Sequence, residues 1–290
     1  MTLNELLDQF VANNRKIQSE KTVSVYRTAI RQLAAAIQRD PTIDDLTDSS
    51  LIQLERHLKA ANRSVYTVNE RVGRIKALWR WACKQGMKGK WPTVDKLPEP
   101  EPIKPTHTIE QLRQLLDHIE SLTGKICEVS ASSYWRAFHL ICWDTAERSG
   151  TILQLEWIYI QEDGSLEIPA SCTKDRKNHY FPLSTETLAA LADIKAPKRE
   201  LIFPWSSGCF WTHYRALIEG AGLPYIKYKS GPHKIRRTVA NIVRNEGGDA
   251  SEMLNHTNSA VTRKFYLAAL SREKHPNQKL PRLGRKDKRA

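Results

Sequence analysis

Apolar residues at the start of the chain recur every three or four positions. Leu3, Leu6, Leu7 and Phe10 define one such face, and Val23, Tyr26, Ile30, Leu33 and Ile37 define the next. Leu51, Leu54 and Leu58 follow the cap-like pair Thr47 and Asp48, and Val65, Val68, Val72, Ile75, Trp79 and Ala82 make the longest stripe. A repeat near 3.6 is the signature of a helix with one buried face, so this region predicts a small helical bundle. The other faces carry Arg27, Arg31, Arg71, Arg74, Lys76 and Arg80. Taken singly, each is an ordinary solvated helix charge. Taken together, and with Arg71, Arg74 and Arg80 as the leading candidates, they suit phosphate contacts.

The periodicity fails between Trp91 and Thr106, where Pro92, Pro98, Pro100, Pro102 and Pro105 crowd together. Proline at that density predicts an extended linker. Helical spacing resumes at Thr108, which forms a capping-box pattern with Gln111 ahead of Leu112, Leu115 and Leu116. The apolar run from Tyr134 to Trp143 predicts a buried helix. Trp157 to Ile160 and Leu166 to Ile168 predict strands flanking the turn Glu162-Asp163-Gly164. A third strand is predicted from Tyr180 to Leu183, after the stretch Thr173-Lys174-Asp175-Arg176-Lys177. Helices are expected from there to Leu270, and the basic tail from Lys279 to Ala290 is expected to be disordered when free. The expected class is mainly α with a small antiparallel β-sheet, in two domains. Residues 1–91 would form a helical domain, 92–106 a linker, 107–274 a second domain and 275–290 a basic tail.

Composition sharpens this picture. A chain of 290 residues, 40% of them hydrophobic, suits two domains with real cores. A formal net charge of +13 and a pI near 9.5 favour a polyanionic partner, nucleic acid before any other. No apolar run reaches the roughly eighteen residues of a membrane span, and the opening MTLNELLDQF lacks the basic-then-apolar pattern of a signal peptide. Cys83, Cys127, Cys142, Cys172 and Cys209 form no CxxC pair, which fits neither a disulfide framework nor a zinc site. A reducing cytoplasm is the expected setting. No P-loop, GxGxxG or HExxH is present, so no nucleotide or metal cofactor is expected.

Four segments after the linker carry residues suited to phosphate chemistry. Thr145-Ala146-Glu147-Arg148-Ser149-Gly150 comes first and Thr173-Lys174 second. Gly231-Pro232-His233-Lys234-Ile235-Arg236 is third, and Leu254-Asn255-His256 is fourth, with Tyr266 ten residues further on. Each has a plain structural explanation: a surface arginine, a solubilising turn lysine, a satisfied histidine, a half-buried tyrosine. The order Arg, Lys, HxxR, LxH, Tyr resembles the signature of the tyrosine recombinase (phage integrase) family, and the likeness extends over the whole chain. It implies a core-binding domain followed by a catalytic domain that together clamp a duplex, with the proline segment as hinge.

The resemblance also implies roles. Tyr266 would attack phosphorus and form a 3′-phosphotyrosyl ester, releasing a 5′-hydroxyl. Arg148 and Arg236 would hold the non-bridging oxygens, for which a planar guanidinium fork is well shaped. Lys174 would protonate the leaving oxygen, with Lys177 as its rival. His233 would take the tyrosine proton or orient the phosphate, and His256 would donate a further hydrogen bond. Arg237 would touch the DNA backbone. The implied partner is double-stranded DNA, gripped by a homo-oligomer that becomes a synaptic tetramer.

The chain departs from the family pattern in places. Ala146-Glu147 replaces the usual Gly-Leu, Asn255 replaces a glycine, and Thr151 stands where an acid is usual. Glu147 is placed on a different helical face, which argues against its substituting. Two other readings share these residues: a DNA-binding protein of the same fold without catalysis, and a basic helical scaffold for RNA or protein.

Overall fold

Thr2 begins the first helix by accepting the Glu5 N–H, while the Glu5 carboxylate takes the Thr2 N–H in return. This reciprocal cap satisfies two backbone donors that the first turn leaves unpaired. The computed structural model describes residues 1–267, except Lys16, Gln18, Pro102, Ile103, Cys127, Pro197, Lys198, Ser206, Tyr228 and Thr257. The tail expected over 275–290 and the end of the helical run at Leu270 lie outside the described residues. The chain divides into two compact units, Met1–Glu101 and Pro102–Ala290.

The first unit contains helices α1 (Leu3–Ala12), α2 (Glu20–Ile37), α3 (Asp48–Ala60) and α4 (Val65–Lys84). Each starts at a hydroxyl cap, from Thr2, Ser19, Thr47 and Ser64. Their apolar stripes meet in one core that includes Leu6, Leu33, Leu54, Ile75 and Trp79. Complete burial of a leucine side chain stabilises by roughly 1.5–3 kcal/mol, so these stripes supply most of what holds the bundle. Residues 92–101 form neither helix nor strand, and they lie against α3 and α4. Asp48 accepts the N–H groups of Thr93 (3.0 Å) and Val94 (3.3 Å), Trp79 donates to the Lys90 carbonyl (2.7 Å), and Asn69 exchanges two hydrogen bonds with the Leu97 backbone (2.9 Å each).

The second unit opens with α5 (Ile109–Glu120), where Thr108 and Gln111 form the expected reciprocal cap. A two-residue pair, β1 (Lys125–Ile126) with β2 (Val129–Ser130), then leads into α6 (Ala131–Thr145). Helix α6 is buried almost all round and forms the centre of the core, with Tyr134, Phe138 and Ile141 inaccessible to solvent. The short helix α7 (Ser149–Ile152) follows. The hairpin β3 (Ser165–Ile168) and β4 (His179–Pro182) pairs antiparallel from Ser165↔Pro182 to Ile168↔His179. Gly164 makes the turn before β3 at φ +81°, a left-handed geometry in which a side chain would be strained and its Cβ would strike Leu188. Helices α8 (Thr185–Ala192), α9 (Ser207–Gly220), α10 (His233–Asn245), α11 (Ala250–Met253) and α12 (Ser259–Phe265) complete the unit. Among the described residues no helix is long and apolar enough to cross a membrane.

One expectation needs correction. Trp157 to Ile160 is not a strand: Trp157–Tyr159 forms a 3-10 turn, and only Ile160 bridges to Leu166. Ile158 is exposed, so this run of large apolar residues does not cover one face of a sheet. The small antiparallel sheet is present as β3–β4, with the pair β1–β2 as a second one among the described residues.

Candidate active site

Helix α6 ends at Thr145, and Ala146 turns left-handed (φ 49°) before Arg148 enters α7 as its first flanking residue. This break redirects the chain and brings Arg148 to the wall of a cavity of about 580 Å³. Lys174, Asp175, His233, Arg237, Asn255, His256, Phe265 and Tyr266 share that wall. Four sequence segments separated by long stretches of chain therefore converge on one place. Lys177 is exposed and stands outside this lining, its N–H donating to the Thr173 hydroxyl (3.1 Å).

Arg236 lies behind the cavity on the first turn of α10, only 1% exposed. Burying a guanidinium demands partners. It donates to the carbonyls of Ala146 and Leu254 (2.7 Å for the latter) and to His256 Nε2 (3.2 Å), with a Glu147 oxygen 3.9 Å away. Burial lowers its pKa from the usual arginine value, and Glu147 opposes that shift. The Leu254 carbonyl is presented by Asn255, which is left-handed at φ 51°. Asparagine is one of the few residues with a side chain that adopts this conformation readily. That accounts for its standing where the family pattern has glycine.

Tyr266 ends α12 and is 6% exposed. Its ring centroid lies 5.0 Å from that of His233 and 4.8 Å from that of His256, and the Arg236 guanidinium carbon is 5.4 Å from the ring centre. Asn241 on α10 donates to the Tyr266 carbonyl (2.9 Å), and Arg237 donates to the Phe265 carbonyl (3.2 Å). The tyrosine is thus held by the same helix that carries His233 and Arg236.

His256 Nε2 faces both Arg236 (3.2 Å) and Arg148 (3.5 Å), while its Nδ1 lies 2.8 Å from the Thr262 hydroxyl. Guanidinium groups can only donate. Nε2 therefore accepts, and Nδ1 carries the proton and donates to Thr262. Loss of water around the ring, with Arg236 and Arg148 nearby, pushes His256 down to about 4. The same causes, desolvation first and then Arg237, Arg236 and Arg148, push His233 down to about 3. Both rings are neutral at physiological pH, in the form able to accept a proton.

The helical premise about Glu147 does not hold. It assumed one helix through positions 147–151, but the chain is extended at Arg148 (φ −72°, ψ 139°) and α7 begins only at Ser149. Helical-face arithmetic does not apply there. The Glu147 carboxylate turns inward, accepts the Arg148 N–H (2.8 Å) and meets His179 Nδ1 (2.6 Å). Thr151 is buried as well, and its hydroxyl donates to the Cys172 carbonyl (3.3 Å). Sequence reasoning passed over His179, Asp175 and Thr262. One signal was available for His179, because alternation along β4 puts it on the same buried face as Phe181, where a histidine needs partners.

Of the remaining candidates, Arg71 and Arg74 on α4 pair with Glu70 at 3.1 and 3.8 Å, and Arg80 is exposed. These three belong to the first unit, apart from the cavity residues of the second.

A sequence model of the phage integrase family matches residues 107–273, and one of the phage integrase SAM-like domain matches residues 2–96. The chain therefore belongs to the phage integrase family, whose members are tyrosine recombinases. No curated protein sequence matches it. Among solved structures it is similar to the Tn1549 transposon integrase bound to circular intermediate DNA, with TM-score 0.70 and 15% identity over 94% of this chain and 97% of that one. It is also similar to a lambda integrase (75–356) dimer bound to a COC′ core site, with TM-score 0.70 and 17% identity over 90% and 97%. A lambda integrase tetramer bound to a Holliday junction aligns at TM-score 0.70 and 18% identity over 91% and 77%. At such identities the likeness is one of fold.

Proposed function

We propose that this chain cuts and rejoins duplex DNA at specific sites through a covalent 3′-phosphotyrosyl bond to Tyr266, without a metal ion or ATP. The observation that carries this reading is the meeting of Tyr266, Arg148, His233, His256 and Lys174 of one chain around one cavity, with Arg236 directly behind it. The Tyr266 phenol oxygen attacks phosphorus, its proton passes to the neutral His233, and the P–O5′ bond breaks. Lys174 gives a proton to the departing 5′ oxygen. Charge builds on the non-bridging oxygens, and Arg148 and Arg236 meet it with fixed donors in a partly dehydrated site, the setting in which such donors act most strongly. A phosphate there replaces His256 Nε2 as the acceptor that the two arginines share. Two guanidinium groups supply the charge that a divalent ion supplies in other phosphoryl transferases. The phosphotyrosyl ester conserves the energy of the broken bond, so rejoining needs no nucleotide.

The net charge of +13 and the DNA-bound state of the similar solved structures support duplex DNA as partner. The dimeric and tetrameric lambda integrase complexes support assembly on DNA, up to a synaptic tetramer. Such work places the chain in the cytoplasm with the DNA.

The test is covalent trapping. The full chain is incubated with sheared, nicked genomic DNA from its source, protein is denatured, and protein-linked fragments are captured and sequenced. The wild type yields adducts at a defined sequence, and Tyr266→Phe yields none. Equal capture by both proteins overturns the role of Tyr266, and no capture by either favours a DNA-binding protein without catalysis.

A further inference from the structure

In the family pattern an acid supports the first arginine from three residues downstream, and here that residue is Thr151, whose hydroxyl is spent on the Cys172 carbonyl. The carboxylate that does stand behind the arginines is Glu147, one residue before Arg148. Its side chain is fully shielded from solvent. One oxygen accepts the Arg148 N–H (2.8 Å) and lies 3.9 Å from an Arg236 nitrogen, and the other meets His179 Nδ1 at 2.6 Å. The second ring nitrogen of His179 faces the Asp175 carboxylate, at 3.1 and 3.2 Å from its two oxygens. Each ring nitrogen of His179 thus faces a carboxylate, Nδ1 that of Glu147 and Nε2 that of Asp175. Asp175 adjoins Lys174 in the turn between β3 and β4, and both line the cavity. The result is a buried run of groups from Arg236 through Glu147 and His179 to Asp175, ending beside Lys174.

We propose that Glu147 is the supporting acid of this site, displaced from its usual position, and that through His179 and Asp175 it holds the Lys174 turn in register with the arginine pair. This rests on the reading above, in which Tyr266 attacks and Lys174 protonates the leaving oxygen. Glu147, His179 and Asp175 are positioning residues. The Arg236 guanidinium fixes one end of the run, and the β4 backbone fixes His179 in the middle through its pairing with Ile168. The turn has further ties on its Cys172 side: Asn178 accepts the Ala170 N–H (2.8 Å), Thr173 donates to the Lys177 carbonyl (2.8 Å), and Thr151 donates to the Cys172 carbonyl (3.3 Å). Asp175, the neighbour of Lys174, is held through His179.

Two measurements test this. The first is the single-turnover rate of covalent adduct formation by the full chain on a nicked duplex of the sequence recovered by trapping. It is compared with the same duplex carrying sulfur in place of the bridging 5′ oxygen at the cut. With sulfur, the Tyr266 oxygen–phosphorus bond forms, the P–S bond breaks, and the thiolate departs without a proton, because a thiol is far more acidic than an alcohol. His179→Gln and Asp175→Asn are expected to slow the oxygen substrate about 100-fold, the cost of misplacing a catalytic group by an ångström. They should leave the sulfur substrate near the wild-type rate, as Lys174→Ala should. Arg148→Ala slows both substrates. Glu147→Gln slows both, with Glu147→Asp restoring part of the rate, while DNA affinity is unchanged in each positioning variant. Equal slowing of oxygen and sulfur substrates by His179→Gln and Asp175→Asn overturns the proposal.

The second measurement needs no DNA. Backbone amides of residues 170–178 in free His179→Gln and Asp175→Asn are expected to exchange hydrogen faster than in the wild type, with α6 and α10 unchanged. Unaltered exchange in that turn overturns the proposal by itself. A wild type that forms no adduct sinks the recombination reading, and the exchange result still decides whether the run fixes the turn. Asp175→Asn changes a group at the edge of the core and serves where a variant at Glu147 fails to fold.

Discussion

The two units hold themselves together in different ways. In the first, the interior is almost purely apolar: Asp45 and Ser50 are its only buried polar residues among those described, and Arg27 and Arg74 pair with the exposed Asp8 and Glu70. In the second, Arg236, Glu147, His179, His139 and His107 are all buried. Charges taken out of water cost several kcal/mol each unless paired and hydrogen-bonded. The first unit thus follows the usual economy of a helical bundle. The second accepts an expensive interior, part of which, Arg236 with Glu147 and His179, adjoins the cavity residues Arg148 and Asp175. Stability and chemistry are separable in one unit and entangled in the other.

The sharpest way to break that contrast is Arg236→Met. Methionine matches the volume roughly but leaves Glu147 buried without its nearest cation. A loss of about 3–5 kcal/mol is expected, together with loss of adduct formation. Chemical denaturation read alongside covalent trapping checks both. A variant as stable as the wild type would mean that Glu147 is compensated wholly by His179.

Leu54→Ala makes the opposite perturbation. Leu54 is inaccessible in the first core, and deleting its methyl groups is expected to cost about 2–5 kcal/mol, depending on how far the cavity collapses. The effect should fall on the first unit alone. In calorimetry one transition moves down while the rate of strand cleavage by pre-bound protein stays the same. A parallel fall in cleavage rate would show that the two units are coupled more tightly than their separate cores suggest.

How much of this was legible in the sequence divides along the same line. The helices of the first unit follow from one rule, apolar residues at 3.6 spacing, because each segment's environment is one core on one side. The Thr108–Gln111 cap was equally legible, being local. The run Trp157-Ile158-Tyr159-Ile160 misled because aromatic and β-branched residues favour strands, while the actual geometry is set by the Trp157 N–H reaching Glu200 (3.0 Å) far along the chain. The pair β1–β2 has two residues per strand, too few to show alternation. The ordered cavity residues were recognisable only as a set. The inward turn of Glu147 was not legible, because it depends on Ala146 leaving the helix left-handed, and on a histidine 32 residues away. Contacts of that kind leave no periodic trace.

Acid offers a subtler separation of the units. His139 is fully enclosed, with Nδ1 donating to the Trp135 carbonyl (2.7 Å), and burial pushes it down to about 4. His107 is pushed down to about 3, by burial first and then by Lys234 and His139. An unfolded histidine titrates near 6.5, so between pH 6.5 and about 3 the unfolded chain binds more protons at these positions than the folded chain does. Stability from keeping them neutral is therefore complete above pH 6.5 and is lost as pH falls through that window. The first unit's lowered groups are carboxylates, Glu5, Asp45 and Asp48. Their contribution is intact down to about pH 4–5 and fails only below it. Between pH 7 and 5 the calorimetric transition of the second unit should move down and that of the first should not. His139→Phe should flatten the response. Equal movement of both transitions would contradict the assignment.

The smallest stability effect is expected at Arg74, and it bears on whether the first unit's surface has any function of its own. Arg74 pairs with Glu70 at 3.8 Å and lies 5.0 Å from the Tyr26 ring centre. Both contacts are partly exposed, where ion pairs contribute about 0–1 kcal/mol. Arg74→Ala should therefore leave unfolding nearly unchanged. If the guanidinium leaves Glu70 to touch a phosphate, removing it takes one counterion from the count, and the slope of log affinity against log salt becomes shallower by about 0.9. Binding of Tyr266→Phe to duplex DNA across a salt series reads that slope without cleavage. An unchanged slope assigns Arg74 to Glu70 and Tyr26 alone, and leaves phosphate contact to other basic residues of the unit. A shallower slope shows that the first unit's cheap, exposed charges do for binding what the second unit's costly buried ones do for chemistry.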